Sequence, residues 1–419
     1  MILKRAHRTG LALVGLVTAA ALGLTGCSGG TSGSSAGNVN TIDEGLAGSI
    51  NSAIESALAL SQSTEAIVGV WSSGDGGSYV QGFGSDEIDG NTRIRGAQAT
   101  QPVMCALLLD LVADGKVDLD REISKDLTRQ SGIEGITYRQ LCDMRSGIAD
   151  FKAGFGDLFA NNPTRPWPEQ ELLAQGLAHS PESWPGLDFH QSDTNAILLE
   201  RVLKVKTGEE VPQLLEEHVF APAKLGSTYY PEDDATTIAG STLGSLTYPR
   251  SGGKPVCDAG PVEVPEVSPT MLGGAGATVT TVGDLRAFYE QYLDGAFGGD
   301  AAGVVTELQP TKNPKRDEEG TPTEDPDTEG RQWAFGMEKV GPLYGRSGAI
   351  TGTLTAAYHD PESGYSVVVT LNNSTAGAEF AKQLAMQLTA IAAGAGAAPE
   401  VSWSAEDSAA ALAERAVCQ

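Results

Sequence analysis

Histidine and cysteine are scarce in this chain, at five residues each among 419. The histidines do not cluster and no Cys/His spacing matches a zinc site, so neither a metal nor another cofactor is expected. Positive charge is also in short supply. Only 28 Lys and Arg stand against 54 Asp and Glu, a formal net charge of −26. Such a surface repels phosphate backbones and excludes nucleic acid as a partner. The plainer use of that charge is to keep an exported protein soluble. Hydrophobic residues make up 40% of the chain, enough to build the core of one large mixed α/β domain with tails.

The N-terminus reads as a targeting segment. The basic stretch MILKRAHR is followed by an apolar run, Thr9 to Leu24, too short and too closely flanked for a spanning helix. It closes on Leu24-Thr25-Gly26-Cys27. Small residues before a cysteine resemble the lipobox of bacterial lipoproteins, which implies removal of signal peptide 1–26 and lipidation of Cys27. Each buried methylene of a lipid contributes ~0.8 kcal/mol, and stable anchoring takes more than one chain. The lipobox implies a multiply acylated cysteine, which meets that condition. Residues 27–41, rich in Gly and Ser, are then a flexible tether. The expected location is extracytoplasmic, anchored to the cell membrane.

Four further cysteines remain: Cys105, Cys142, Cys257 and Cys418. An even number in an oxidising compartment suggests two disulfides, with three possible connectivities. Cys105 and Cys142 lie on neighbouring predicted helices, which favours Cys105–Cys142 with Cys257–Cys418.

Hydrophobic spacing predicts the elements. Ile42, Leu46, Ile50, Ile54 and Leu58 mark a helix over 42–61. EAIVGVW (65–71) and SYVQGFG (78–84) read as strands around a turn. Residues 99–114 form an apolar helix closed by Gly115. ITYRQLCDM and TNAILLERVLKVKTG are further helices. Residues 312–330 hold almost no apolar side chain and read as a mobile loop. Residues 352–374 are a strand–turn–strand hairpin and 378–393 a closing helix. Strands from both ends can pair into one antiparallel sheet flanked by helices, an α+β fold with a mainly helical insertion at about 99–270. The domain then spans 42–393, and 394–419 is an Ala/Gly-rich tail.

Five phrases in this order resemble the serine β-lactamase and D,D-peptidase-like family, which includes class C β-lactamases, low-molecular-weight penicillin-binding proteins and related esterases. They are LVADGKVDLD, ITYRQLCDMRSGIADF, PGLDFHQSDTNAILLERVLKVKTGEEVPQLLEEHVFAPAKLGST, GGAGATVTTVGDLRAFY and YGRSGAITGTLTAAYHDPESGYSVVVTLNNS. The resemblance covers roughly 42–393 and implies the β-lactamase/transpeptidase-like fold and a serine nucleophile.

The family's three catalytic motifs are altered here. Its Ser-x-x-Lys places both side chains on one helical face, so that lysine can take the serine's proton. Those positions are Gln98 and Gln101, and an amide is neither a nucleophile nor a base near neutral pH. Its Tyr-x-Asn falls on Gln191-Ser192-Asp193; an ionised Asp193 only accepts hydrogen bonds where the asparagine would donate. Its Lys-Thr-Gly, or His-x-Gly, falls on Arg346-Ser347-Gly348. Arginine shuttles no proton, but it can grip a carboxylate through two parallel bonds.

Several short matches carry no chemistry. Ser251-Gly252-Gly253-Lys254 lies in a Gly/Pro loop with no helix behind it. Lys206-Thr207-Gly208 ends a helix, where lysine and glycine are ordinary. Gly33-Ser34-Ser35-Ala36-Gly37 sits in the tether. Thr100 is turned about a hundred degrees from Gln101 around the helix, and His190 stands alone.

Two functions compete. The first is a non-catalytic envelope lipoprotein binding a ligand or partner through Arg346, Ser347, Asp193 and Gln191: a peptidoglycan stem peptide, whose carboxylate meets Arg346, or an envelope protein. A closed Asp193–Arg346 pair with no open cleft would favour a partner-protein or structural role. The second is an active serine hydrolase of D-Ala-D-Ala carboxypeptidase, β-lactamase or esterase type with a displaced nucleophile.

Overall fold

The structure is a computed structural model that describes residues 37–317, 319, 321–324 and 330–419. The signal segment, Cys27 and most of the tether lie outside the described residues. The chain enters through β1 (Val39–Asn40), so the end of the expected tether is already paired in a sheet. Helix α1 (Glu44–Ser61) follows. Asp43 caps it by accepting from the N–H groups of Gly45 and Leu46 at 2.8 and 3.2 Å. Leu46, Ile50, Ile54 and Ala57 form its buried stripe. Strands β2 (Ala66–Trp71) and β3 (Ser78–Phe83) are the expected pair.

The next stretch is mainly helical. Strand β4 (Ile94–Arg95) leads through a short 3-10 turn, Ala97–Thr100, into α2 (Pro102–Ala113). Proline suits the first helical position, where no N–H is needed. Helices α3 (Tyr138–Cys142), α4 (Gly156–Asn161), α5 (Glu169–Ala178), α6 (Thr194–Thr207) and α7 (Val211–Leu215) follow. Four two-residue strands come next: β5 (Leu246–Thr247), β6 (Arg250–Ser251), β7 (Lys254–Pro255) and β8 (Val262–Glu263). Strand β9 (Val279–Thr280) pairs with β4, and Thr281 caps α8 (Val282–Leu293).

The C-terminal part supplies β10 (Gln309–Pro310), β11 (Gln332–Trp333), β12 (Glu338–Val340), β13 (Leu343–Ile350), β14 (Thr353–His359) and β15 (Ser366–Leu371). The nine-stranded sheet runs β1-β3-β2-β15-β14-β13-β12-β11-β10, antiparallel throughout. Both faces of its centre are covered, so every residue of β15 is buried. On one face Val68, Val369, Ala356 and Tyr358 pack against α1 and α9 (Ala378–Gly394). On the other, Ile67, Val368, Ala357 and Tyr344 join the core of α2, α6 and α8.

Two stretches are more structured than their composition suggests. Residues 394–419 contain α10 (Ala405–Ala413), started by a Ser404–Asp407 capping box and packed through Leu412. The described part of 312–330 folds back on itself: Thr323 N–H donates to Lys315 O at 2.8 Å, and Asn313 is bonded in both directions to the Phe189 backbone. Both disulfides have the favoured pairing, Cys105–Cys142 and Cys257–Cys418.

Candidate functional site

Position 98 lies in the turn between β4 and α2, pressed against β13. Ala97 holds a φ of +47°, a left-handed conformation uncommon for a residue with a Cβ. Gly348 lies so close that a Cβ there would stand 2.2 Å from the Gln98 backbone nitrogen, so only glycine fits. The buried Gln98 side chain spans the gap. Its Nε2 donates to Asp193 Oδ2 at 2.7 Å, and its Oε1 accepts the Ala349 N–H at 2.8 Å.

Asp193, 1% exposed at the start of α6, is the hub. Besides Gln98 it accepts from Gln101 Nε2 and Arg346 Nη2, both at 3.4 Å, and pairs with Lys152 Nζ at 2.7 Å. Burial alone would raise its pKa, but Lys152, Arg346 and the Gln98 bond hold the carboxyl below its usual range. The Lys152 ammonium is likewise opposed by burial, yet Asp193 and Asp150 keep its pKa above the ordinary lysine value. Burial pushes Asp150 the other way, upward. Arg346 is 2% exposed and stacks over Trp333, its guanidinium carbon 4.9 Å from the ring centroid. Its Nε and Nη1, and Gln101 Oε1, are buried without a hydrogen-bond partner.

The structure brings together Gln98, Gln101, Asp193, Arg346 and Gly348, and adds Lys152. Sequence reading missed Lys152 because it stands one residue beyond the phrase ending at Phe151; its only local signal is the Asp150 cap of a short 3-10 turn. Arg346 meets Asp193 rather than standing open for a ligand carboxylate, so the competing Asp193–Arg346 contact is the one formed. Ser347 departs from the expected ligand set for a reason of register. Alternate residues of a strand face opposite ways. Ser347 therefore shares the α9 face with Ala356 and Tyr358, while Arg346 and Gly348 face Asp193 and Gln98. Gln191 is exposed and accepts from Arg331 at 2.8 Å rather than joining Asp193.

The dismissed matches lie as expected. Ser251 and Lys254 form a β6–β7 hairpin, and Lys206-Thr207-Gly208 closes α6. The buried Thr100 hydroxyl donates to Ala97 O at 2.7 Å. His190 is half-buried, and its backbone N–H donates to Met144 O.

Acyl transfer needs a nucleophile, a base within hydrogen-bond reach, and backbone donors aimed at the developing oxyanion. The amide at position 98 cannot attack. Lys152 is protonated and paired. The Ala349 N–H, a donor beside position 98, is occupied by the Gln98 side chain.

A family model described as Beta-lactamase matches residues 61–390. The chain belongs to the beta-lactamase family. Among relatives of this beta-lactamase-family chain is a D-aminopeptidase from Cereibacter sphaeroides, 24% identical over 327 residues. The alignment covers 75% of this chain and 56% of that protein, so the chain spans little more than half the relative's length. Solved structures share the fold. A D-stereospecific amidohydrolase from a Streptomyces species superposes with a TM-score of 0.67 at 23% identity, covering 78% of this chain and 94% of that one. A penicillin-binding protein homologue from Pyrococcus abyssi gives 0.65 at 19% identity, with 84% and 78% covered. They are matched by this chain's antiparallel sheet with helices on both faces, the β-lactamase/transpeptidase fold.

Proposed function

We propose that this chain is a non-catalytic member of the beta-lactamase family that acts as a partner-binding module at the cell envelope, held to the membrane through a lipidated Cys27. One observation carries the reading: the Gln98 amide stands where the family's serine belongs and takes the Ala349 N–H for itself. The Asp193–Arg346 contact supports an envelope protein as partner over a peptidoglycan stem peptide, because a ligand carboxylate would have to displace Asp193 from its cations. The test is intact-mass spectrometry of the purified protein after incubation with a fluorescent penicillin and a fluorophosphonate, with an active relative labelled in parallel. No adduct is expected.

The relatives themselves favour a second reading, a serine hydrolase acting on amides of D-residues with a displaced nucleophile. Ser192 is the hydroxyl to examine, buried without a partner beside Asp193. An adduct mapped to Ser192 or any other hydroxyl, or turnover of D-alanine amide, would establish this reading and end the first.

A further inference from the structure

A second cavity lies away from the Gln98–Asp193 cluster. It has a volume of about 460 Å³, opens to solvent, and is lined by the two residues before β2, the residue after β15, β4 and the 237–246 loop. That falls within the roughly 300–1,000 Å³ of small-molecule sites. The loop that roofs it is tied to the strand below. Arg93 N–H donates to Ser241 O at 3.0 Å, Leu243 N–H to Arg93 O at 3.1 Å, and Arg93 Nη1 to Ala239 O at 2.8 Å.

The cation on its wall is Arg95, 8% exposed. Among the described residues its guanidinium makes one hydrogen bond, from Nη2 to Thr236 O at 2.7 Å, and no carboxylate lies within 4.0 Å. Buried charges are ordinarily paired, and a guanidinium presents five donors suited to a carboxylate. Among the described residues Nε and Nη1 have no hydrogen-bond partner. Burial pushes the group down to about 10, still charged at neutral pH. The same wall carries two carboxylates, Glu65 and Glu263. Glu65 Oε2 accepts the Gly244 N–H at 2.8 Å, while Glu263 is exposed. A simple anion would satisfy Arg95 but face both acids. A simple amine would satisfy the acids and leave Arg95 unpaired. A molecule carrying both charges meets both demands.

We propose that this cavity binds a small zwitterion of the amino-acid or dipeptide class, its carboxylate on Arg95 and its ammonium toward Glu65 and Glu263. The site is separate from position 98, so its test stands whatever the covalent probes report. The experiment is isothermal titration calorimetry of the purified protein with alanine of each hand, dialanine, acetate, inorganic phosphate and ethylamine. At least one of the three zwitterions binds more tightly than acetate, phosphate and ethylamine. Arg95→Lys keeps the charge but loses the planar fork, and weakens binding about tenfold. Glu263→Gln, on an exposed side chain with little bearing on folding, also weakens it. The proposal is overturned if no zwitterion binds at millimolar concentration. Acetate, phosphate or ethylamine binding as tightly, or unchanged affinity in both variants, overturns it equally.

Discussion

Asp193 shows how much one side chain can decide. Its carboxylate lies against Lys152 and Arg346, with Gln98 and Gln101 completing the contacts. Asp193→Asn restores the family's residue type yet leaves Arg346 without its anion and Lys152 with Asp150 alone. Breaking a buried pair costs roughly 3–5 kcal/mol, and a loss of that size is expected in urea unfolding at pH 7. The pH dependence follows from the lowered pKa. The stabilisation is complete above the unfolded carboxyl value of about 3.9 and is lost as pH falls through the lower folded value. Wild type and variant should therefore converge in acid. A gap that persists once Asp193 is protonated would mean that shape, not charge, sets the loss. Gln98, Gln101, Asp193 and Arg346 were legible in the sequence because motif spacing places them. Lys152 was not, because its role depends on a turn meeting the start of α6 from 41 residues upstream.

Among the elements, α2 retains its helix without the nucleophile. Its apolar run and Pro102 need no serine, so the element persists where the motif residues differ. The disulfides act at this scale too. Cys105–Cys142 ties α2 to α3, and Cys257–Cys418 ties the C-terminal segment to the insertion across 161 residues. Replacing Cys257 and Cys418 together by serine should cost ~2–4 kcal/mol. The loss should fall first on α10, which otherwise rests on Leu412, the Trp403 bond to Met386 O and the Val417 bond to Leu60 O. Hydrogen exchange checks this. Amides of 404–418 should lose protection while β14 and β15 keep theirs; equal loss across the sheet would make the bridge a global brace.

For the whole molecule, the excess of acids is the feature that matters. A net charge of −26 repels itself across the folded surface. Salt shortens the screening length from ~30 Å at 0.01 M to ~8 Å at 0.15 M. The melting temperature should therefore rise by a few degrees over that range, measured by calorimetry. Asp193 and Arg346 are buried and screened much less, so the cost of Asp193→Asn should change little between the two salts. A cost that shrinks with salt would assign the loss to the part-exposed Lys152 rather than to the buried Arg346.

The sequence by itself determined the order of elements, the sheet drawn from both chain ends, the favoured disulfide pairing and the amides at positions 98 and 101. These depend on periodicity, cysteine count and motif spacing, all local properties of the chain. Only the tertiary structure decided where each polar group spends its hydrogen bonds. Gln98 reaches Ala349 across 251 positions, and Arg95 is left without a carboxylate in a cavity lined by a loop more than 140 residues away. Ser347 turns away from Asp193, toward the α9 face, because strand register fixes which side chains share a face. Burial makes such pairings consequential, since a polar group removed from water must find its partner among whatever the fold brings near.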